Sequence, residues 1–280
     1  MKTLEDKVVV ITGAGSGIGR ALAVHVARRG ALLAISDVDD AGLAETVELV
    51  KAAGAKEVRS DHLDVADRAA FTSYAAAVAE HFGRVNLVIN NAGVALAGDF
   101  TELEYKDLDW IVGINFWGVV HGTKEFLPHL IASGDGHVVN ISSVFGLVSM
   151  PGQSAYNATK YAVRGMTEAL REEMLIAGHP VGVTAVHPGG IKTAIARNAR
   201  VADNEDKKAT ADLFDKKLAR MTPEKAAEII VRGILRNQAR VLVGIDAHAL
   251  HHFAKLTGSR YQDVVAKVSQ RVVPPKATIV

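Results

Sequence analysis

Cysteine is absent from this chain of 280 residues, so neither disulfide bonds nor thiolate chemistry can contribute to its function. No hydrophobic run reaches the roughly 18 to 20 residues needed to cross a bilayer, and the segment Met1–Lys7 lacks the apolar core of a signal peptide. An excess of either charge is also missing, because 32 basic residues stand against 31 acidic ones. These absences predict a cytoplasmic protein without a transmembrane segment and without nucleic acid as a partner.

Hydrophobic residues are abundant, at 49% of the chain, which is enough for a full core. Short apolar runs alternate with longer helical patterns. Several runs are continuous in Val, Ile and Leu, which is typical of parallel strands covered by helices on both faces. Seven strands are predicted, at Lys7–Thr12, Ala31–Ser36, Glu57–His62, Asn86–Asn90, Gly136–Ser142, Pro180–Val186 and Arg240–Val243.

Helical patterns fill the intervals between these runs. The first three helices each stop at a glycine, where a left-handed conformation is wanted. Six helices are predicted, at Ile18–Arg29, Asp40–Ala53, Asp67–Phe82, Trp110–Leu127, Gln153–Ile176 and Glu224–Leu235. The alternation predicts an α/β fold, a doubly wound, mainly parallel, Rossmann-like sheet in a single domain with helices on both faces. We expect residues 1–245 to form a dinucleotide-binding and catalytic domain and residues 246–280 a C-terminal helical extension.

The first predicted strand leads through a glycine-rich turn into a helix. Glycines let the backbone approach a pyrophosphate, and the helix N-terminus offers free N–H groups. The strict GxGxxG spacing is not met, because Ile18 stands where its last glycine would be. We still expect the turn to hold a dinucleotide, through Gly13, Ser16, Gly17, Ile18 and Gly19.

Asp37 ends the second strand, about 20 residues after the turn, where a carboxylate can accept hydrogen bonds from an adenosine ribose. The same carboxylate repels a 2′-phosphate. Ser16, just before Gly17, is neutral rather than basic. Both observations favour NAD over NADP as the cofactor.

Tyr156 and Lys160 share one face of the predicted helix Gln153–Ile176. A phenol titrates near ~10, and a cation beside it favours the phenolate and lowers its pKa. Tyr156 is therefore a candidate base for the proton that an alcohol loses when hydride leaves its carbon. Ser143, just past the end of a strand, can donate a hydrogen bond to the developing alkoxide.

These residues belong to a longer series of motifs in a fixed order. The series is Thr12-Gly-x-x-x-Gly17-Ile-Gly19, Asn90-Asn91-Ala92-Gly93, Asn115, Ser143, Tyr156-x-x-x-Lys160 and Pro188-Gly189. It resembles the motif set of the short-chain dehydrogenase/reductase family over residues 7 to about 193. The resemblance implies a nicotinamide cofactor and hydride exchange between an alcohol and a carbonyl.

The resemblance also implies roles for further residues. Lys160 would donate to the nicotinamide ribose, and Asn115 would hold a water that links Lys160 to solvent, unless it is bonded only to the backbone. Asp64 and Val65 would lie near adenine, although Asp64 could instead cap the following turn. The other expected cofactor contacts are Asn91, Ala92, Gly93, Tyr156, Pro188, Gly189, Ile191 and Thr193.

The expected substrate cleft is mainly apolar. Its residues are Val94, Leu96, Phe145, Met150, Gln153 and His187, with His187 alternatively a packing residue. No arginine pair is in position to clamp a carboxylate or phosphate, which favours an apolar secondary alcohol or ketone. We expect residues 190–221 to form a lid, because the polar stretch Ala202–Lys208 is followed by an apolar stripe at Leu213, Phe214 and Leu218.

The sequence thus predicts an NAD-dependent oxidoreductase that acts on a small-molecule alcohol or ketone as a homodimer or homotetramer. The alternatives are an NADPH-preferring carbonyl reductase, a relative catalysing dehydration or epimerisation, and a non-catalytic NAD(H)-binding regulatory protein. The complete Ser143, Tyr156 and Lys160 set argues against the last. No metal site is predicted, because no matching Glu or Cys follows His248, His251 and His252. The C-terminal extension could cover the core, pack against a second subunit or lie on a membrane.

Overall fold

A parallel sheet of seven strands forms the centre of the protein in the computed structural model, which describes residues 1–202 and 219–272. The strands are β1 (Val8–Thr12), β2 (Leu32–Asp37), β3 (Val58–His62), β4 (Leu87–Asn90), β6 (Gly136–Ile141), β7 (Val181–Pro188) and β9 (Arg240–Val243). Their order across the sheet is β3-β2-β1-β4-β6-β7-β9, and every neighbouring pair is parallel. The chain therefore winds outward in both directions from β1 and β4, which confirms the predicted doubly wound α/β fold.

A second, two-stranded sheet pairs β5 (Leu96–Ala97) with β8 (Arg200–Val201) in parallel. The sequence analysis did not predict these two strands. They are too short to show a pattern, and they pair across a large separation in the chain.

Helices cover both faces of the main sheet. They are α1 (Gly17–Ala27), α2 (Asp40–Ala52), α3 (Arg68–Phe82), α4 (Tyr105–Val112), α5 (Gly118–Ala132), α6 (Ser154–Ile176), α7 (Pro223–Leu235), α8 (Ile245–Thr257) and α9 (Tyr261–Val272). A π-helical turn, Gly113–Trp117, joins α4 to α5. None of the helices in the described residues is both long and apolar enough to cross a membrane.

The strand interiors explain why these residues form a sheet covered on both sides. Every residue of β1, β4 and β6 is buried, so both faces of each strand pack against side chains. On one face, α1 and α7 place Leu22 and Ile230 in the same apolar cluster as Ile11. On the other face, Phe71 and Phe126 meet edge to face, with ring centroids 6.3 Å apart.

The helices α8 and α9 follow the last strand and pack beside the turn after β6. Ala247 and Tyr261 are buried there in one small cluster with Val144, Leu147 and Val148. This cluster is separate from the two layers of the main core. The C-terminal helices therefore cover one particular part of the molecule, next to the segment that carries Ser143.

Candidate active site

The glycine turn between β1 and α1 has the backbone geometry of a phosphate-binding loop. Gly13 and Gly17 have φ values of +66° and +53°, in the left-handed region that favours glycine. A Cβ on Gly19 would collide with the carbonyl oxygen of Gly13. The Ser16 side chain makes no capping hydrogen bond, and the first turn of α1 contains no acidic residue. The N-terminus of α1 is therefore suited to receive an anion from outside the protein.

Asp37 lies directly beside this turn, at the end of β2. Its carboxylate accepts hydrogen bonds from the backbone N–H of Gly15 at 2.7 Å and of Asp39 at 3.0 Å. The nearby guanidinium of Arg20 is already engaged, since it donates to Thr46 at 3.0 Å and forms an ion pair with Glu45 at 2.9 Å. Asp37 thus places an oriented carboxylate beside the glycine turn, where the sequence analysis expected the adenosine ribose.

The Asn90-Asn91-Ala92-Gly93 motif begins at the last residue of β4 and forms hydrogen bonds with the glycine turn. The Asn91 side chain donates to the carbonyl oxygens of Thr12 and Gly13, both at 3.0 Å. The Thr12 hydroxyl accepts the backbone N–H of Asn91 and of Ala92, both at 3.1 Å. Thr12 was not predicted to have this role, although a polar residue at the end of a buried apolar strand is a usable signal.

The segment after β7 reaches the glycine turn from the opposite side. A Cβ on Gly17 would lie 3.1 Å from Cγ2 of Thr193. The backbone N–H of Gly189 donates to Val243 at 2.9 Å, which fixes the start of the segment after Pro188. Ile191 is buried and pairs with Met221 through an isolated β-bridge. A cavity of about 460 Å³ lies here, with Ser16, Gly17, Lys192, Thr193 and Arg197 among its lining residues.

Asp64 and Val65 follow β3 at the same end of the sheet. The Asp64 carboxylate accepts the N–H of Ala66 at 2.9 Å, which is the turn-capping contact considered as the alternative. Val65 is buried, and its carbonyl oxygen is 3.0 Å from Nδ1 of His121. These contacts give Asp64 and Val65 a structural role in the fold, and their contact with adenine stays a prediction.

Ser143, Tyr156 and Lys160 come together where β6 ends and α6 begins. The Tyr156 hydroxyl is hydrogen-bonded to Ser143, and the Lys160 ammonium lies 5.6 Å from the centroid of the Tyr156 ring. Lys160 is buried and donates to the carbonyl oxygen of Ile141 at 3.1 Å. The neighbouring Ser142 hydroxyl donates to the Lys160 carbonyl at 2.8 Å. Ser142 is therefore tied to α6, while Ser143 is the serine that meets the phenol.

The protonation states of this trio follow from burial. Burial raises the pKa of the Tyr156 phenol, and its hydrogen bond with Ser143 lowers that pKa only in part. Burial also lowers the pKa of Lys160 to about 8. In the protein without a ligand the pKa of the phenol therefore lies above its ordinary value, and stabilisation of the phenolate by Lys160 stays a prediction. The physical reason is that desolvation disfavours the charged form of both groups, and the ammonium lies over the ring.

Asn115 lies in the π-helical turn and is fully buried. Its amide is paired in both directions with the backbone of Val94, accepting from N–H at 2.8 Å and donating to the carbonyl at 2.9 Å. A Cβ on Gly93 would lie 3.2 Å from the Asn115 oxygen and 3.4 Å from the Lys160 nitrogen. The Asn115 amide also donates to the Thr159 hydroxyl at 3.4 Å, so it is not bonded to the backbone alone. Asn115 lies close to the Lys160 nitrogen, with Gly93 between them. A bridging water stays a prediction.

Among the expected substrate residues, Val94, Leu96 and Phe145 lie beside Tyr156, and His187 does not. Leu96 is buried in a cluster with Ile111 and Ala155, against which Val94 and Tyr156 pack. Phe145 meets Tyr156 edge to face, with ring centroids 6.2 Å apart. The Met150 carbonyl accepts from Asn157 at 2.9 Å, and Gln153 is the partly exposed N-cap residue of α6.

His187 is the exception, because it lies fully buried behind Ser143. Its Nδ1 is 2.9 Å from the Ser143 carbonyl oxygen. Burial lowers the pKa of His187 to about 4, so the ring is neutral at pH 7 and Nδ1–H can donate to that carbonyl. This contact matches the packing interpretation of His187 and was not predicted. Its sequence position before Pro188 gives no sign of a partner on another strand.

The expected lid is described only at its two ends. Arg200 and Ala202 donate backbone hydrogen bonds to Ala95 at 3.0 Å and Ala97 at 2.9 Å, which brings β8 against β5. Residues 203–218 lie outside the described residues, and they include most of the polar stretch and all of the apolar stripe of Leu213, Phe214 and Leu218. The lid therefore stays a prediction.

Comparisons with known proteins agree on one family. The sequence model of the short chain dehydrogenase family matches residues 7–204. SadH of Mycobacterium tuberculosis is 60% identical over 266 residues, which cover 95% of this chain and 96% of SadH. A short chain dehydrogenase/reductase from Burkholderia phymatum in complex with NAD superposes with a TM-score of 0.83 at 32% identity, covering 99% of this chain and 100% of that chain.

A third similar structure was determined with a different cofactor. The alcohol dehydrogenase from Thermococcus sibiricus complexed with 5-hydroxy-NADP has a TM-score of 0.71 and 28% identity, covering 86% of this chain and 95% of that chain. Structural neighbours of this chain therefore include complexes with both kinds of nicotinamide cofactor.

Proposed function

Because the chain belongs to the short-chain dehydrogenase/reductase family of oxidoreductases, we propose that it transfers a hydride between NAD(H) and an apolar secondary alcohol or ketone. The meeting of Ser143, Tyr156 and Lys160 carries this proposal. The trio lies at the carboxyl ends of the strands, where parallel α/β sheets bind their ligands. A protein that only senses NAD(H) has no need of these three side chains.

Tyr156 is the proton carrier in this proposal. In reduction its neutral phenol, which burial favours, donates to the carbonyl oxygen, and in oxidation the phenolate takes the proton of the alcohol. Ser143 holds the phenol and donates to the oxygen that gains charge. Lys160 is mostly protonated at pH 7 because its pKa is about 8, so it favours the phenolate when that form is needed. A bound nicotinamide would accept or return the hydride and, in its oxidised form, would supply a further positive charge.

The preference for NAD rests on the fixed carboxylate of Asp37. Two backbone N–H groups orient it beside the glycine turn, where a ribose with free hydroxyls would find an acceptor and a 2′-phosphate would be repelled. Arg20 is committed to Thr46, Glu45 and carbonyl oxygens, so it does not offset this repulsion. The Burkholderia phymatum complex with NAD supports the same assignment.

The substrate class follows from the side chains around the phenol. The apolar side chains of Val94, Leu96 and Phe145 pack beside Tyr156, which supports an apolar substrate side. Such surface suits the carbon skeleton of a secondary alcohol or ketone better than a charged group. The carbonyl oxygen alone would then need polar partners, and Ser143 and Tyr156 provide them.

A panel of secondary alcohols with NAD, and of ketones with NADH, tests the proposal through the absorbance of the reduced nicotinamide. We expect turnover with apolar members of the panel and lower kcat/KM when the cofactor is NADP(H). Tight NAD binding in calorimetry without turnover of any compound would instead favour the non-catalytic regulatory protein.

We include a homodimer or homotetramer in the proposed function. Tyr105 and Trp117, on α4 and the π-helical turn, are 85% and 50% exposed, which is unusual for side chains of this size. A second copy of the chain would cover them. Light scattering on the purified protein tests this, and a monomer at micromolar concentration would contradict it.

A further inference from the structure

A second cavity, of about 380 Å³, lies apart from the residues assigned above to catalysis and cofactor binding. It is a solvent-open depression between α6, β9 and the C-terminal helices, and Arg164, Arg240, His251, Lys255 and Tyr261 are among its lining residues. These side chains come from three separate parts of the sequence. Only the fold brings Arg164 and Arg240 together, at a place apart from the substrate cleft that the sequence analysis described.

Positive charge exceeds negative charge at this cavity. Arg164 forms an ion pair with Glu168 at 3.1 Å, and Arg240 pairs with the same Glu168 oxygen. One carboxylate therefore serves two guanidinium groups. Lys255 adds a third cation to the lining, so the charges of these four groups sum to about +2 at pH 7.

The guanidinium of Arg240 is also incompletely bonded. Its Nε is buried and has no acceptor among the described residues, although Nη2 reaches Glu168. A buried donor without an acceptor is unfavourable, so Glu168 alone does not satisfy the hydrogen-bonding capacity of this guanidinium. The pKa of His251 reports the same surroundings. Burial lowers it first, and Arg240, His252, Lys255 and Arg164 lower it further.

We propose that this cavity binds a small anion carrying a phosphate or carboxylate group, held by Arg164 and Arg240 on one side and Lys255 on the other. Guanidinium groups bind the oxygens of such anions through paired, charge-assisted hydrogen bonds. The site lies between the body of the protein and α8, so the anion joins the C-terminal helices to the catalytic helix.

The bound anion would influence the turn that carries the catalytic serine. Nη1 of Arg164 donates a long hydrogen bond, of 3.4 Å, to the carbonyl oxygen of Gly146, and Leu147 lines the same cavity. Both residues lie within one turn of Ser143. Occupancy of the cavity therefore supports the segment after β6 as well as α8.

Calorimetric titration of the full-length protein with inorganic phosphate, and separately with succinate, tests the site. Each titration is done with and without saturating NAD, because phosphate can also bind at the glycine turn. We expect saturable binding that persists with NAD and raises Tm. Sodium chloride at the same ionic strength should not raise Tm equally. The phosphate and succinate titrations distinguish the two classes of anion.

Three variants locate the binding. Arg240→Gln and Lys255→Gln should each weaken the affinity at least about tenfold, since each removes a charged donor. Lys255→Gln leaves both ion pairs of Glu168 in place, so the anion affinity of this variant can be measured even if Arg240→Gln destabilises the fold. Arg260→Gln is the matched control, because Arg260 is exposed on the same segment but does not line the cavity. Equal weakening in Arg260→Gln, or wild-type binding that disappears with NAD, would overturn the proposal.

Discussion

Burial decides how the side chains at the candidate site are charged. Lys160 has lost its contact with water and donates to Ile141 at 3.1 Å, and its pKa falls to about 8. Burial raises the pKa of Tyr156, which favours its neutral phenol form. The two pKa values therefore move apart, because desolvation disfavours the charged form of each group. At pH 7 these surroundings favour a neutral phenol, the form that would donate a proton in the proposed reduction.

Replacement of Tyr156 by Phe tests its role as proton carrier. We expect kcat to fall by roughly 10² to 10⁴, with NAD affinity nearly unchanged, because only the hydroxyl is removed. Steady-state kinetics and calorimetry measure the two quantities. Ser73→Ala is the control, since it removes an exposed hydroxyl on α3. Wild-type turnover by Tyr156→Phe would contradict the proposed mechanism.

Asp37 is expected to act on cofactor choice in two ways, by hydrogen bonding to the ribose and by repelling a 2′-phosphate. Two variants separate these effects. We expect Asp37→Ala to narrow or reverse the preference for NAD(H) over NADP(H) by about 1 to 3 kcal/mol. Asp37→Asn keeps an acceptor for the Gly15 N–H and removes only the charge, so it should lose mainly the repulsion of the 2′-phosphate. Calorimetry with both cofactors checks this. Tighter binding of NADPH than NADH by the unmodified protein would show the assignment to be wrong.

His187 is expected to position Ser143 through its hydrogen bond to the Ser143 carbonyl. His187→Leu removes the donor and should lower kcat about tenfold, because small displacements at a catalytic group are costly. His187→Asn places an amide N–H near the position of Nδ1 and should recover most of the loss. Kinetics beside thermal unfolding measures both effects. If Asn and Leu lower kcat equally at equal Tm, this hydrogen bond does not position Ser143.

Elements differ in how far the sequence determines them. The buried strands were predicted to within a residue or two, as with Ala31–Ser36 against the observed Leu32–Asp37, because continuous apolar runs mark them directly. The helix predicted at Trp110–Leu127 is instead two helices joined by the π-helical turn. The amide pairing of Asn115 with Val94 accompanies this turn. Hydrophobic periodicity cannot show such a contact between distant segments.

Tyr261 of α9 links the C-terminal helices to the segment after β6. Its hydroxyl accepts the backbone N–H of Ser149 at 3.0 Å, in the segment between Ser143 and the substrate side of α6. We expect Tyr261→Phe to speed hydrogen exchange of the Ser149 amide and to raise the substrate KM more than it lowers kcat. The lost hydrogen bond should also cost about 1 kcal/mol of stability.

Ser73→Ala again serves as the control for Tyr261→Phe, since it removes a hydroxyl that is exposed to solvent. Hydrogen exchange followed by mass spectrometry or NMR resolves residues 144–150 in both variants. Unchanged exchange at Ser149 in Tyr261→Phe would mean that α9 does not support this segment.

The whole molecule places its functional groups at one end of the sheet. The glycine turn follows β1, Asp37 ends β2, Asn91 follows β4 and Ser143 follows β6, all at the carboxyl ends of parallel strands. This arrangement could be predicted from the order of the motifs. The cationic cavity and the buried partner of His187 could not, because each depends on contacts between segments far apart in sequence. The division at residue 245 and the substrate lid stay predictions.

Two buried histidines make the stability of the whole molecule depend on pH. His137 on β6 and His187 on β7 are fully buried, and burial lowers their pKa values to about 3 and about 4. In the unfolded chain each takes up a proton below about pH 6.5. Between these values the unfolded state binds more protons than the folded state, so stability decreases as the pH falls. Lys160 and Tyr156 do not contribute, because both are protonated in either state throughout this range.

The free energy of unfolding should therefore fall from about pH 6.5 toward pH 4, with each histidine contributing a slope of about 1.4 kcal/mol per pH unit. Urea denaturation at several pH values in this range measures the slope. His137→Gln should remove the share of one buried histidine, because Gln can reach the Thr184 hydroxyl that lies 2.8 Å from Nε2 and cannot take up a proton. His25 and His251, whose pKa values are also lowered, add to the slope that remains. An unchanged slope in His137→Gln, or a wild-type stability that stays constant between pH 6.5 and 4.5, would show that these histidines are not held neutral by burial.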